Sequence, residues 1–464
     1  MVGSELSKGW KLVPLKEITS IIRGVSYPKE EAKLHPEENY VHILRGGNIQ
    51  DGKIVFETDD NVYVNSSLVG EEQFVLKDDV VIVASTGSKK VIGKAATIEE
   101  DSRCISFGAF LFLLRTNVID KRFHSYFFQT QYYRNIISSL AGGININNIK
   151  KEHIENLQIP LPPLTEQKQI AEKLDKLFDQ IETIKEASNK IPELLKNFRQ
   201  QVLTYAVTGK LTEEWRNNNN VNLIRIIDQL KEQRINEVSS KVLKEKLEKI
   251  YIDNNSSIDF PIPEQWIPIN LDKICESFSY GTSSKSMNEG TYPVLRMGNI
   301  QNGKLIWSDL KYTSDESEYI KYQLNVGDVL FNRTNSPELV GKTAIYDEDK
   351  KACYAGYIIR IAPYREYVNP HYLNIVLNSQ YAKRWCWEHK SDGVSQSNIN
   401  AQKLSKFTIP YPHIAEQNII VERVQSLFAK LDAIEDKYNI MLENLGKLPQ
   451  ALLCKAFKGE MFAK

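Results

Sequence analysis

The chain repeats itself with a period of about 250 residues. Trp10-Lys-Leu-Val13-Pro-Leu15-Lys-Glu-Ile18 is answered by Trp266-Ile-Pro-Ile269-Asn-Leu271-Asp-Lys-Ile274. Leu44-Arg45-Gly-Gly47-Asn48-Ile49-Gln50-Asp-Gly52-Lys53-Ile54 is answered by Leu295-Arg296-Met-Gly298-Asn299-Ile300-Gln301-Asn-Gly303-Lys304-Leu305. The order holds further on, through Ile92-Gly93-Lys94 and Val340-Gly341-Lys342, Gln131-Tyr132 and Gln380-Tyr381, and Asn148-Ile149 and Asn398-Ile399. It continues through Ile159-Pro160-Leu-Pro162 and Ile409-Pro410-Tyr-Pro412, Glu166-Gln167 and Glu416-Gln417, and Leu177-Phe178 and Leu427-Phe428. A long-period repeat constrains architecture more than any single element does. Each half reads as one globular unit followed by one long helix.

The helix of the first half starts after prolines that cannot continue an upstream element, with Thr165 read as the N-cap and Glu166 in the first turn. Its apolar stripe runs Ile170, Leu174, Leu177, Ile181, Ile184, Ser188, Ile191, Leu195, Phe198, Val202, Tyr205. In the second half the stripe is Ile420, Val424, Leu427, Leu431, Ile434, Tyr438, Met441, Leu445, Leu448, Leu452. Steps that alternate four and three over this length make a coiled-coil seam, and the natural partner of one stripe is its copy. A helix of about 40 residues is roughly 60 Å long, so such a pair is a spacer. Pro192 and Pro449 fall inside the stripes and predict a kink or a local break.

The resulting division is a globular unit at 1–160, a helix at 161–211, a linker containing a helix at 212–255, a second globular unit at 256–410 and a second helix at 411–464. Within the linker, Trp215-Arg-Asn-Asn-Asn-Asn220 reads as turn and Val221 to about Tyr251 as one charged helix, before Asp253-Asn-Asn-Ser-Ser breaks it. The globular units mix short β-rich runs (Val80–Ala84, Phe110–Leu114, Tyr357–Ile361) with helical segments near Phe123–Leu140 and Leu373–Trp387.

Totals exclude several classes. Lys+Arg and Asp+Glu number 59 each, so the formal charge is zero, which counts against nucleic-acid binding unless basic faces are balanced by acidic helices. No apolar run approaches the roughly 20 residues of a membrane span, and the N-terminus lacks a secretory apolar stretch, which predicts a cytoplasmic protein without membrane contact. The five cysteines (Cys104, Cys275, Cys353, Cys386, Cys454) include no CxxC pair, and the seven histidines show no metal spacing. Leu161-Pro162-Pro163-Leu164 lacks the polar group and ring that hold a flipped base. Ser336-Pro-Glu-Leu-Val-Gly341-Lys342-Thr343 has Ser336-Pro337 where a phosphate loop needs glycine. No cofactor, metal or catalytic residue is expected.

What is left is a set of polar and basic turns that occurs twice. Arg45, Asn48 and Lys53, with Arg296, Asn299 and Lys304, lie in Gly-rich segments; Arg suits guanine and Asn suits adenine in bidentate fashion. The same Gly-Asn-Ile-Gln sequence also suits a plain β-turn beside the core. Thr86, Ser88, Lys89 and Lys90 in the first half, and Arg333, Thr334 and Asn335 in the second, follow apolar strands in donor-rich loops that suit groove or phosphate contact, or solvated hairpin tips. Asn145 and Asn147, with Ser395, Gln396 and Ser397, complete the set. The copies differ most at these tips.

In this order, twice, the segments resemble the specificity subunit of Type I restriction-modification systems. The resemblance covers nearly the whole chain and includes the closing segments Ala206-Val-Thr-Gly209-Lys-Leu211 and Ala456-Phe-Lys-Gly459-Glu-Met461. It implies an α+β chain with two similar mixed α/β target-recognition domains, separated by two long helices that form an antiparallel coiled coil. It implies a non-catalytic subunit that binds double-stranded DNA at a bipartite site with an unspecified spacer. The implied partners are two methyltransferase subunits, which carry S-adenosylmethionine, and through them ATP-driven endonuclease subunits. The competing reading is a structural or interaction protein whose duplicated domains bind other proteins.

Overall fold

The computed structural model describes residues 7–50, 52–56, 61–88, 90–140, 147–219, 222–252, 256–393 and 396–462. Two compact units result, Met1–Asn189 with Asn439–Lys464, and Lys190–Tyr438. Each contains one globular head, together with helix from both copies of the repeat. Among the described residues no helix is long and apolar enough to cross a membrane.

The heads share one topology. In the first, the antiparallel strands Ser20–Arg23, Leu111–Arg115, Val80–Val83 and Ala95–Thr97 lie side by side in that order. In the second, Cys275–Tyr280, Ile358–Pro363, Asp328–Asn332 and Thr343–Tyr346 repeat it. A smaller sheet, Ile105–Phe107, Tyr40–Leu44 and Val62–Asn65, has its counterpart in Cys353–Tyr354, Tyr292–Leu295 and Lys311–Thr313. Val80–Val83 and Asp328–Asn332 are buried along their whole length. An uninterrupted apolar run is what a strand covered on both faces requires, and the Val80 to Val83 run meets it.

Each helical segment of a head is two helices, because a capping residue sits mid-segment. Lys121–Phe127 and Gln131–Leu140 are separated by the buried Thr130, whose hydroxyl donates to Phe127 O at 2.7 Å and accepts from Tyr133 N at 3.1 Å. Pro370–Asn378 and Gln380–His389 are separated by Ser379, which caps the second of them.

The opening strand of each head closes on the strand that precedes the long helix, Lys11–Pro14 on Gln158–Leu161 and Ile267–Asn270 on Thr408–Tyr411. This brings the repeated tryptophan to the helix start, where Trp10 Nε1 donates to Glu166 Oε1 at 3.2 Å and Trp266 Nε1 to Glu416 Oε2 at 2.8 Å. The neighbouring glutamine is buried in both copies. Gln167 accepts from Asp120 N (2.9 Å) and donates to Pro162 O (2.8 Å), and Gln417 does the same with Asn369 N and Pro412 O, both at 2.8 Å. The repeated Glu-Gln pair thus ties helix to head. Thr165 is not the cap: the helix is Leu164–Ser188 with Pro163 at the N-cap, since the first helical bond runs from Gln167 N to Pro163 O and leaves Thr165 inside the first turn.

In the first unit, Ile170, Ala171 and Leu174 near the start of this helix share a core with Leu453, Ala456 and Phe457 near the end of the helix Ile414–Phe457. In the second, Val202, Leu203 and Ala206 share a core with Ile420, Val421 and Val424. There Arg199 pairs with Asp432 (2.6 Å) and Glu435 (3.0 Å), Leu211 O accepts from Arg423, and Arg216 meets Glu416 at 2.6 Å. As one number rises the other falls, so the helices run antiparallel.

The two prolines behave differently. Pro192 starts a second helix, Ile191–Val207, after a break at Asn189–Lys190, because a first-turn position has no intrahelical N–H to lose. Pro449 lies inside the 44-residue helix Ile414–Phe457, which continues through it. Directly after it, Gln450 accepts from Gln131 N (3.0 Å) and donates to Gln129 O (2.9 Å), contacts that offset the missing helical bond.

The linker is more structured than its sequence suggests. The turn read at Trp215–Asn220 overlaps a short helix, Glu213–Asn217. The single helix read from Val221 is two, Leu223–Glu237 and Lys241–Ile252, broken at Val238–Ser240, where serines compete for backbone bonds. Asn220, Val221 and Asp253–Asn255 lie outside the described residues. Arg234 is buried and donates to Asp272 O (2.7 Å), Lys273 O (3.1 Å) and the Tyr251 hydroxyl (3.2 Å), with its guanidinium over the Tyr364 ring at 5.0 Å. With Leu223 and Leu230 buried as well, this helix pair is docked on the second head.

Candidate nucleic-acid interface

The turns singled out in sequence separate into two groups. In the first group the side chains close the fold. Asn48 is fully buried; its Oδ1 accepts from Arg45 N (2.8 Å) and its Nδ2 donates to Val55 O (2.9 Å). Asn299 repeats this with Arg296 N (2.9 Å), Ile306 O (3.0 Å) and Ser308 O (3.1 Å). Both amides are used inside the turn, so neither faces a groove. The β-turn alternative accounts for these two positions, and it escaped the sequence because the same amide that reads adenine also caps a turn. Arg45 is half-buried. Arg296 donates to the Asp309 carbonyl at 2.7 Å, with the Asp309 carboxylate at 3.3 Å. Lys53 is exposed, and the exposed Lys304 lies 3.4 Å from Asp432.

Replacing Asn299 with alanine leaves one N–H and two carbonyls without their partner. The expected cost is about 1–3 kcal/mol of stability, read by chemical unfolding of the full chain. Unchanged stability would show that the turn holds without it.

The second group forms an edge. In the first head, Ser85–Thr86 follows the core strand and pairs antiparallel with Asn147–Asn148, a register of Thr86 on Asn147 and Ser85 on Asn148. In the second, Thr334–Asn335 pairs with Ser397–Asn398, which pairs in turn with Ser391–Asp392. The fold thus joins two loops that are far apart in sequence, at the same place in both heads. Ser88 and Lys90 extend from the first edge and are exposed. Lys89, Asn145 and Ser395 lie outside the described residues.

Arg333 is a cation of the second edge. Its guanidinium lies over the Tyr280 ring at 4.6 Å, and Nη2 donates to Asn398 Oδ1 at 3.2 Å. Asn398 Nδ2 donates to Thr334 Oγ1 at 2.8 Å, while Asn335 Oδ1 accepts from Ser336 N at 2.9 Å. Ser397 is buried and its hydroxyl donates to Asp392; Gln396 is exposed. Hydrogen bonds from Lys390 and Ser397 hold the Asp392 carboxyl below the usual carboxylate range. In the first head Asn147 is buried and its Nδ2 donates to Thr86 O at 3.4 Å. Asn398 closes the second loop of the set read in sequence, whereas Tyr280 was not singled out. Tyr280 acts from a neighbouring strand, and nothing local marks it.

The seam residues grade along the helices. Ile170, Leu174, Ile181, Ile420, Val424, Leu431 and Leu445 are buried, and Leu177, Ile191, Leu195, Leu427 and Met441 are half-buried. Ile184, Phe198, Ile434 and Leu448 are between 41% and 49% exposed. Of the buried ones, Ile170, Leu174, Ile420 and Val424 belong to the cores that the helices share with the heads. Among the described residues no three His, Cys, Asp or Glu side chains are grouped to hold a metal.

Two heads of one topology, each with a two-loop edge and each closed by antiparallel helices, define a duplicated recognition scaffold. The family described as Type I restriction modification DNA specificity domain matches at residues 7–193 and 263–444. The chain is 35% identical, over its full length and 92% of the relative, to the Type I restriction enzyme EcoKI specificity subunit of Escherichia coli (strain K12). It is 33% identical, with the same coverage, to the StySPI specificity subunit of Salmonella potsdam. Among solved structures, the HsdS subunit from Thermoanaerobacter tengcongensis shares the fold with a TM-score of 0.60 at 18% identity, over 99% of each chain. A chain of a type I R-M system shares it with a TM-score of 0.62 at 17% identity, over 98% of this chain and 100% of the other. The protein belongs to the Type I restriction-modification DNA specificity family.

Proposed function

We propose that this chain is the non-catalytic DNA-reading subunit of a cytoplasmic Type I restriction-modification complex. Each head reads one half of a bipartite site through its two-loop edge, and the helices set the unspecified spacer between the halves. The chain recruits methyltransferase subunits, two per complex, which carry S-adenosylmethionine, and through them the endonuclease subunits.

One observation carries this reading. The pairing of two loops that makes the edge recurs in both heads, while the side chains on it differ. Asp79 and Asp328 are equivalent, since each is buried where the core strand begins and each accepts from a backbone N–H three residues earlier, Leu76 N and Asn325 N at 2.8 Å. Counting from them sets Ala84 against Arg333, Ser85 against Thr334 and Thr86 against Asn335. A shared backbone with divergent tips suits two readers of different sequences, because the backbone positions and the side chains specify.

The test is duplex binding by the chain purified from its source cells with whatever subunits accompany it. If the heads together neutralise about six phosphates, affinity falls by about a thousandfold between 50 and 200 mM salt. Binding that is flat with salt, or absent, would favour duplicated protein-binding domains, the reading to which the neutral charge gives some weight.

A further inference from the structure

We propose that Trp387 is a duplex-contact residue of the second head, its ring packing on a deoxyribose and base edge. The proposal rests on the DNA-reading function above. Trp387 is 57% exposed. Tryptophan is enriched at contact surfaces, where its apolar ring packs and its N–H stays wet.

Its place in the fold is set by the glycines on which its helix packs. A Cβ on Gly93 would lie 2.3 Å from the Ile137 side chain, and a Cβ on Gly341 would lie 2.5 Å from Cys386 Sγ. Ile137 and Cys386 are therefore equivalent, and the next residue is Ser138 in one head and Trp387 in the other. The scaffold tolerates a small polar residue here. The indole is an addition peculiar to the second head, as Arg333 is.

Contacts lead from this ring to the reading edge. Lys390 Nζ sits 4.3 Å from its centroid and 2.5 Å from Asp392 Oδ1. The same Asp392 oxygen accepts from Ser397, and Ser397 pairs in the ladder with Asn335, two residues from Arg333. Trp387 is thus the outer end of one connected patch, which begins at Arg333 on Tyr280. Most of the charges near it are already paired within the head. From 380 to 406 there are five cations, Lys383, Arg384, Lys390, Lys403 and Lys406, against Glu388 and Asp392. Arg384 is paired with Asp259, Lys406 with Asp272, and Lys403 donates to His389 O and Ser391 Oγ, while Lys383 is exposed. An exposed aromatic ring continuous with donor-rich loops can pack on a deoxyribose beside the bases that those loops face.

The experiment compares the parent with Trp387→Ala and Trp387→Phe, each purified from the source cells with its accompanying subunits and titrated with a duplex carrying the site modified in that genome. Trp387→Ala is expected to weaken binding by about tenfold with no change in thermal unfolding, because the ring is mostly in water. DNA is expected to quench tryptophan emission in the parent and to quench it measurably less in Trp387→Phe. Affinity of Trp387→Ala within about twofold of the parent, or equal quenching in Trp387→Phe, overturns the proposal and leaves the DNA-reading function standing. A parent that shows no salt-dependent duplex binding overturns both.

Discussion

Replacing Glu416 with alanine is expected to destabilise the second unit by about 3–5 kcal/mol, whereas the same change at Glu166 costs the first unit only about 1 kcal/mol. The two glutamates are repeat equivalents at the start of the long helices, and both accept from a tryptophan indole. Their surroundings differ. Glu416 is 2% exposed and also accepts from the Thr212 hydroxyl and from Arg216 Nη1, each at 2.6 Å, while the Arg216 guanidinium faces the Trp266 ring. Arg216 is buried too, so removing the carboxylate strands a cation away from water. Glu166 is half-buried and among the described residues has only the Trp10 bond, longer at 3.2 Å. Glu416→Gln keeps an acceptor for the indole but not the counter-charge, and should fall between. Hydrogen exchange of the amides in 213–217 and 414–424 reads the effect locally, which matters in a chain of two compact units. Equal losses at the two glutamates would contradict the assignment of Arg216 as the source of the difference.

That asymmetry also shows what the sequence hides. Glu416 was visible as half of a repeated Glu-Gln pair, yet its main partner lies 200 residues earlier in a linker that reads as polar turn. The repeat, the long helices and the strand Val80–Val83 were legible because each rests on a local period or an apolar run. Antiparallel helix packing within each unit agrees with what the family resemblance implied.

The site was less legible. Asn48 and Asn299 have the side chain suited to reading adenine, and the structure buries both to close a turn. Thr86 and Asn147 could be listed as donors, but no local signal says that they pair across 61 residues. Arg333 owes its orientation to Tyr280, from a strand some 50 residues away. The contrast between Pro192 and Pro449 has the same origin. A proline is read from its own position, and whether a helix survives it depends on contacts such as those of Gln450 on both sides of Thr130.

The second large effect concerns spacing. Ile414–Phe457 alone is about 66 Å long at 1.5 Å per residue, with residues 414–438 in one unit and 439–457 in the other. If it and its antiparallel partner set the distance between half-sites, adding one heptad to both keeps the seam in register and lengthens the pair by about 10 Å. With a duplex rise of about 3.4 Å per base pair, the unspecified spacer should grow by about three base pairs. The half-sites should stay as they are, since no residue of either edge is touched.

Sequencing of modified bases in cells that carry only the lengthened chain measures this directly. The account predicts the parental half-sites on either side of a spacer about three base pairs longer. Modification at the parental spacing, or at new half-site sequences, would contradict it.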